Sequence, residues 1–150
     1  MSTWAAAMNG EESSSTNPGR VQGVCPSGWH LPGRAEWKQL EMFLGMSQAS
    51  ADSIGWRGTD EGGKLKEAGF THWDSPNTGA TNSSGFTALP AGYRYEHGEF
   101  SNIGFAIGFW TSEEYDTSTA WIRYLDAIRS DTHQNNNDKN FGFSIRCVQD

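Results

Sequence analysis

The sequence predicts an α+β domain built from short antiparallel strands, one or two helices and long irregular loops. Three observations lead to this fold class. Short runs rich in Ile, Phe, Tyr, Trp and Val alternate with polar stretches in the last third of the chain, at Phe105–Trp110, Ala120–Leu125 and Phe141–Val148. One stretch after Gly33 has the spacing of an amphipathic helix. Eighteen glycines among 150 residues indicate many turns rather than long helices.

The composition predicts a single domain over residues 1–150. A chain of this length buries roughly two thirds of its unfolded surface, and 19 aromatic residues supply much of the core. The net charge of −7 argues against a nucleic-acid partner. No apolar run approaches membrane-spanning length, so we expect no membrane insertion by this chain. Residues 1–8 lack the pattern of a signal peptide.

The predicted helix follows Gly33. Trp37, Leu40 and Leu44 recur at helical spacing, Phe43 widens the apolar stripe, and Gly45 ends the helix.

The remaining elements are shorter. Trp4–Met8 is too short to be a stable isolated helix and needs packing. A weaker helix is predicted at Glu61–Ala68; residues 58–65 match a phosphate-loop spacing, but Leu65 stands where Ser or Thr is required, so we interpret them as a helix start. Residues 70–90 form a long loop, and Gly92–Phe100 is a hairpin turning at His97-Gly98.

The two cysteines lie near opposite ends of the chain, at the edges of two candidate strands, Val24-Cys25 and Ile145-Arg146-Cys147. A Cys25–Cys147 disulfide would close a very long loop, worth on the order of 4–5 kcal/mol. The alternative is two independent buried thiols in a cytosolic protein. We favour the disulfide, because closing the chain in this way stabilises a Gly-rich, loop-rich domain. Disulfides persist in oxidising compartments, so we also expect the domain to lie in one.

Acidic residues cluster around Tyr115. Glu113, Glu114 and Asp116 are candidates for acid–base catalysis, or for Ca²⁺ ligands together with Asn135–Asp138. The alternative interpretation, a solvated loop or ligand-contact surface, is favoured because a charge cluster alone specifies little. The four histidines are scattered and predict no zinc site.

Aromatic residues are the positive functional signal. Side chains alternate between the two faces of a strand. Ala120, Ile122 and Tyr124 are predicted to face the core, so Trp121 and Arg123 are predicted to project outward. Exposed Trp, Tyr and Arg are the residue types that anchor interfaces.

Several motifs, in order along nearly the whole chain, resemble the Fibrobacter succinogenes major paralogous domain of exported and surface bacterial proteins. They are V-C-P-S-G-W-H-L-P-G-R-A-E-W (24–37), G-G-K-L-K (62–66), G-F-T-A-L-P-A-G-Y-R (85–94), F-W-T-S-E-E (109–114) and G-F-S-I-R-C-V (142–148).

That family is in turn similar to the C-type lectin-like fold of formylglycine-generating enzymes, in which the termini pair and irregular loops present the ligand surface. The resemblance does not extend to oxidase activity. Those enzymes need a reactive cysteine pair, and the only two cysteines here fall where the family forms its structural disulfide. Trp4–Met8 resembles a segment inside the domain, which implies a missing upstream portion. Some members are variable proteins of diversity-generating retroelements, and Trp110–Asn140 resembles their variable region.

We therefore expect a non-catalytic extracellular or cell-surface domain that binds a protein or glycan ligand through residues 110–140, without a cofactor. A carbohydrate-binding or adhesion module, with Ca²⁺ as an option, is the alternative. The candidate ligand-binding residues are Glu114, Tyr115, Asp116, Trp121, Arg123, Tyr124, Asp126, Arg129 and His133.

Overall fold

The computed structural model describes all residues 1–150 and has the predicted α+β composition. Its four helices are α1 (Trp4–Met8), α2 (Arg34–Phe43), α3 (Gln48–Asp52) and α4 (Glu61–Leu65). Its eight strands are β1 (Trp29–His30), β2 (Gly55–Arg57), β3 (Tyr93–Arg94), β4 (Phe100–Ser101), β5 (Ala106–Glu114), β6 (Thr119–Asp126), β7 (Thr132–Asp138) and β8 (Val148–Gln149). None of the helices is long and apolar enough to cross a membrane.

A four-stranded antiparallel sheet in the order β2-β7-β6-β5 forms the centre of the molecule. Two small sheets, β1-β8 and β3-β4, lie outside it. The β1-β8 pairing brings the two ends of the chain together, and Ser2 forms a further antiparallel bridge with Phe143. Beside this pairing, Cys25 and Cys147 form the predicted disulfide, with their Cα atoms 5.8 Å apart.

Both faces of the central sheet are covered by apolar side chains. On one face, Trp110 and Ile122 pack with Trp4 of α1. On the other, Phe109 and Leu125 pack with Trp37 of α2 and with residues of the long loop before β3. We call the first surface the cleft face, because it continues into the cleft described below, and the second the helix face.

The structure confirms the predicted helix, and the predicted hairpin appears as β3 and β4. At the start of α2, Glu36 accepts a hydrogen bond from the Gly33 N–H at 2.9 Å, which satisfies a donor that a helix leaves free. The weaker helix prediction is also correct, although α4 ends at Leu65. Phe43 does not widen the apolar stripe, since it is 87% exposed.

Two strand predictions need correction. Val24 and Cys25 lie in turns, where the Cys25 N–H donates to the Gln22 carbonyl. Most of the last apolar run is irregular and contributes only isolated bridges, such as that of Ser144 with Phe109. Its side chains pack into the core without a continuous ladder, so apolar content alone overestimated its strand length.

Candidate functional site

Strand β7 carries almost no apolar side chain, yet it lies inside the central sheet. Its sequence, T-H-Q-N-N-N-D, is polar throughout, and the sequence placed Asn135–Asp138 in a loop. That assignment is wrong. Backbone pairing with β6 over 133–138, and with β2 over Thr132–Gln134, holds these residues extended.

The β7 edge beyond β2 is unpaired, and one of its backbone N–H groups is bonded to a side chain of β7 itself. β2 begins at Gly55, opposite Gln134, and Asn135 to Asp138 border no strand on that side. The Asn135 Oδ1 accepts a hydrogen bond from the Asn136 N–H at 2.8 Å. A backbone donor satisfied in this way is less available for pairing with another chain.

A cleft of about 250 Å³ opens on the cleft face of β6 and β7. Three kinds of side chain line it: aromatic rings, one aliphatic group and the amides of β7. The lining residues are Trp56, Tyr93, Ile122, Tyr124, His133, Asn135, Asn136, Asn137, Phe141 and Phe143.

Register explains why these side chains meet. Tyr124 lies opposite His133, and Ile122 lies opposite Asn135, so the members of each pair project from the same face. Trp56 of β2 also pairs with His133. The cleft face therefore carries a row of side chains across three strands.

A close approach at Gly108 lets an aromatic ring enter the base of the cleft. Gly108 lies opposite Tyr124, and a Cβ atom at this position would lie 2.4 Å from Cδ1 of Phe143. Any larger residue at 108 would displace that ring. Tyr93 and Phe141 stack above it with ring centroids 6.3 Å apart and close the cleft on that side.

On the opposite side, Trp56 is held edge-to-face against Tyr124 and His133, with centroids 5.9 and 5.0 Å away. The Arg129 guanidinium lies 4.4 Å from the Trp56 ring and forms a two-point ion pair with Asp131. Arg129 therefore holds an aromatic ring of the site while its own charge is balanced.

No Asp, Glu, Lys or Arg lines the cleft. Its only titratable groups are two tyrosines and His133. Burial lowers the pKa of His133 below its ordinary value, and the nearby positive charges of Arg57 and Arg129 lower it further. Burial also raises the pKa of Tyr124 to about 12. The cleft is consequently neutral at pH 7, in a chain whose net charge is −7.

Three of the nine predicted ligand-binding residues belong to this site. Tyr124 and His133 line the cleft, and the Arg129 guanidinium lies over the ring of Trp56, which also lines it.

Three more lie at the turn between β5 and β6, away from the cleft lining. Glu114 forms an ion pair with Lys139 at 2.6 Å, and Tyr115 is 58% exposed with its ring against Trp121. Asp116 accepts hydrogen bonds from the N–H groups of Ser118 and Thr119, which hold the pKa of its carboxyl below the usual range. These carboxylates stabilise a turn.

The predicted outward projection of Trp121 and Arg123 is wrong. Both side chains are buried, with 6% and 1% of their surface exposed. The prediction assumed that one face of β6 meets water, as is common in antiparallel sheets, whereas α2 and its neighbours cover the helix face. The Arg34 guanidinium lies 3.6 Å from the centre of the Trp121 ring and covers it.

Arg123 belongs to a buried ionic cluster around Glu41 of α2. The Glu41 carboxylate accepts hydrogen bonds from Arg57 at 2.7 and 2.6 Å, from Arg123 at 3.1 Å and from Thr132 at 2.6 Å. Burial alone would raise the pKa of Glu41, but Arg123 and Arg57 outweigh it and the pKa is lowered. The cluster joins α2 to three strands.

Asp126 is also buried, at 6% exposure, and accepts the Ile128 N–H at 3.1 Å. Burial raises the pKa of its carboxyl. Next to it, the Lys66 ammonium donates to the carbonyl oxygens of Thr78, Asp126 and Arg129 at 2.9 to 3.0 Å. Asp126 therefore helps to anchor the loop after β6 and does not line the cleft.

Sequence reasoning missed most of the cleft residues. Trp56, Tyr93 and Phe141 come from distant parts of the chain, and no local pattern connects them. The one available signal was the alternation of His133, Asn135 and Asn137, which matches a strand period but lacks the apolar residues that identify a strand.

No group of three or more His, Cys, Asp or Glu side chains is placed to hold a metal ion. The predicted Ca²⁺ option with Glu113, Glu114, Asp116 and Asn135–Asp138 stays a prediction for direct test.

Comparison with known proteins gives one result. No curated protein and no solved structure matches the chain. A family model described as the Fibrobacter succinogenes major domain matches residues 3–149. The chain therefore belongs to the Fibrobacter succinogenes major domain family.

Proposed function

We propose that this chain is a non-catalytic ligand-binding domain with a C-type lectin-like fold, and that its ligand surface is the cleft on β6 and β7. The observation that carries the proposal is the convergence of mostly half-buried aromatic rings and hydrogen-bonding amides in one concave site. Ligand sites in proteins are mostly apolar and aromatic, with a few placed polar groups.

The C-type lectin-like assignment is supported by the pairing of the chain ends in β1-β8 and by the long irregular segment between α4 and β3. The disulfide favours an oxidising compartment. We accordingly propose that the domain works outside the cytoplasm, at the cell surface or in the extracellular space.

Two observations favour a binding domain over an enzyme. Neither cysteine is free, so thiol chemistry of the formylglycine-generating type has no nucleophile. The carboxylates of Glu114 and Asp116 are occupied by Lys139 and by turn N–H groups, and they lie outside the cleft lining.

We further propose that residues 110–140 are a variable region of a diversity-generating retroelement. Six of the ten cleft-lining residues lie in this range. Variation would be tolerated at cleft-face positions such as His133, Asn135 and Asn137, while the buried Trp121 and Arg123 must stay constant. A reverse transcriptase gene with a near-repeat of the 110–148 coding region would support this; sequences from related loci that vary equally at 121 and 123 would contradict it.

The experiment for the binding function is capture of a ligand from bacterial cell-surface extracts on the immobilised domain. The test variant is Asn135→Ala with Asn137→Ala, and the matched control is the exposed Asn140→Ala. We expect the double variant to lose capture and the control to retain it. Capture that survives the double variant would move the ligand surface elsewhere, and absence of any ligand would contradict a binding function.

A carbohydrate-binding or adhesion module of a surface protein is the second candidate, favoured by the aromatic rings in the cleft. A glycan array, run once with calcium and once with chelator, separates it from a receptor for protein. Loss of binding with chelator would also show that calcium takes part.

A further inference from the structure

We propose that the cleft binds one uncharged sugar ring of a neutral glycan, without calcium. This inference rests on the proposed function, because it assumes that the cleft is the ligand surface. It goes further by naming the chemical class of the ligand.

The charge of the lining selects against ionic ligands. None of the ten lining residues carries a charge at neutral pH, and Arg129, whose guanidinium contacts Trp56, is paired with Asp131. A ligand with a carboxylate, phosphate or ammonium would lose hydration in this cleft without gaining a partner of opposite charge, which is unfavourable. The ligand is therefore neutral.

The lining also offers hydrogen-bonding groups that the protein leaves unused. Among the three asparagine amides of β7, the only side-chain hydrogen bonds within the protein run between Asn135 and Asn136. The Asn137 amide keeps both a donor and an acceptor free. An amide that offers both matches a hydroxyl group, which also donates and accepts. A ligand with several adjacent hydroxyl groups can form hydrogen bonds with several of these amides at once.

The lining combines these amides with flat apolar surfaces. The rings of Trp56, Tyr93 and Tyr124 line the same cleft as the asparagine amides. A sugar ring presents C–H groups on its faces and hydroxyls around its edge, so it contacts rings and amides at once. The volume of about 250 Å³ lies just below the usual range of ligand sites, which is roughly 300–1,000 Å³. It fits one ring, with the rest of a glycan outside.

An extended peptide is the competing occupant, and the structure disfavours it. Peptides that bind beside a sheet commonly add a strand to an open edge. Here Asn135 caps the Asn136 N–H on the only open part of β7. The edge therefore offers a peptide fewer backbone hydrogen bonds than a free strand would.

The test is binding of the folded domain to defined oligosaccharides at concentrations up to about 5 mM, followed by calorimetry and by tryptophan fluorescence. The neutral probes are cellohexaose, xylohexaose, mannohexaose and laminarihexaose. The charged probes are trigalacturonic acid and sialyllactose. Each titration is repeated with a calcium chelator.

The key variants are Asn135→Asp and Asn137→Asp, which add a negative charge to the cleft with almost no change in size. Asn140→Asp is the control, because it adds the same charge at an exposed position. We expect at least one neutral probe to bind, with chelator having no effect. Each cleft variant should weaken that binding by at least about tenfold, while the control leaves it within about twofold.

Selective binding of a charged probe, or loss of binding with chelator, would overturn the inference. Binding of a neutral probe that the two cleft variants leave unchanged would also overturn it, as would the absence of binding to all four neutral probes. One combination of results separates the two proposals. If no neutral probe binds, but the domain captures a surface protein and Asn137→Asp abolishes that capture, the sugar inference fails while the proposed binding function stands.

Discussion

The substitution Glu41→Gln removes the carboxylate on which the buried ionic cluster depends. Glu41 is fully buried and accepts four hydrogen bonds, two from Arg57, one from Arg123 and one from Thr132. Glutamine has nearly the same shape but no charge, and its NH₂ group would face a guanidinium donor. Two buried positive charges would then lack a counter-charge.

Removing one partner of a buried ion pair costs about 3–5 kcal/mol. Domains of this kind have a total free energy of unfolding of roughly 5–15 kcal/mol, so the loss is a third or more of the smaller values. We expect the melting temperature to fall by about 10 °C. Urea unfolding at neutral pH, followed by the fluorescence of the buried Trp37, Trp73 and Trp110, measures the change.

The control is Glu99→Gln, which removes an exposed carboxylate paired with His97. An exposed pair contributes at most about 1 kcal/mol. The double variant Glu41→Gln with Arg123→Met should cost less than the sum of the two single variants, because it removes one of the unpaired charges. A Glu41→Gln cost no larger than that of Glu99→Gln would refute the reasoning.

Three further predictions follow from buried contacts. Replacing Cys25 and Cys147 by Ser removes a disulfide with a sequence separation of 122, and the free energy of unfolding should fall by about 4 kcal/mol. Reduction of the wild-type protein should have the same effect, and an unchanged urea midpoint after reduction would contradict this prediction. Lys66→Met leaves three carbonyl oxygens without their donor, so the free energy of unfolding should fall by at least about 3 kcal/mol. The control Lys38→Met, which removes a surface ion pair, should lower it by less than about 1 kcal/mol. Equal losses for the two variants in urea unfolding would be inconsistent with the role of Lys66. Burial alone would lower the pKa of His30, but Glu36 and Asp150 outweigh it and raise the pKa. The folded state then binds the proton more tightly, so His30 contributes stability below pH 6.5 that is lost as pH rises through its folded pKa. The stability difference between wild type and His30→Gln should therefore be larger at about pH 5.5 than at about pH 8.5, and a difference independent of pH would argue against the ion pairs.

Local patterns predicted the elements that are stabilised by neighbouring residues. The apolar spacing of Trp37, Leu40 and Leu44 predicted α2, and the turn at His97-Gly98 predicted the β3-β4 hairpin. Both are short-range structures, in which contacts three or four residues apart, or across one turn, specify the conformation.

The predicted ligand-binding region overlaps the candidate site. Residues 110–140 contain Tyr124, His133 and most of the cleft lining, while the binding role of this region stays a prediction. The choice of individual side chains was less successful, because alternation along a strand gives two sets of residues without showing what covers each set. Trp121 and Arg123 were assigned to solvent for that reason.

The sequence by itself determined the α+β class, the main helix and the hairpin, since composition and short-range spacing carry that information. With only two cysteines it allowed a single disulfide, and the tertiary structure decided that this disulfide forms. Tertiary structure alone decided that both faces of β6 are covered, that the polar segment Thr132–Asp138 is a strand, and that Trp56 and Tyr93 meet Tyr124 in one cleft. The physical reason is that a strand such as β7 is stabilised by backbone pairing with β6 and β2. Those hydrogen bonds join distant residues and leave no periodic apolar signal in the segment itself.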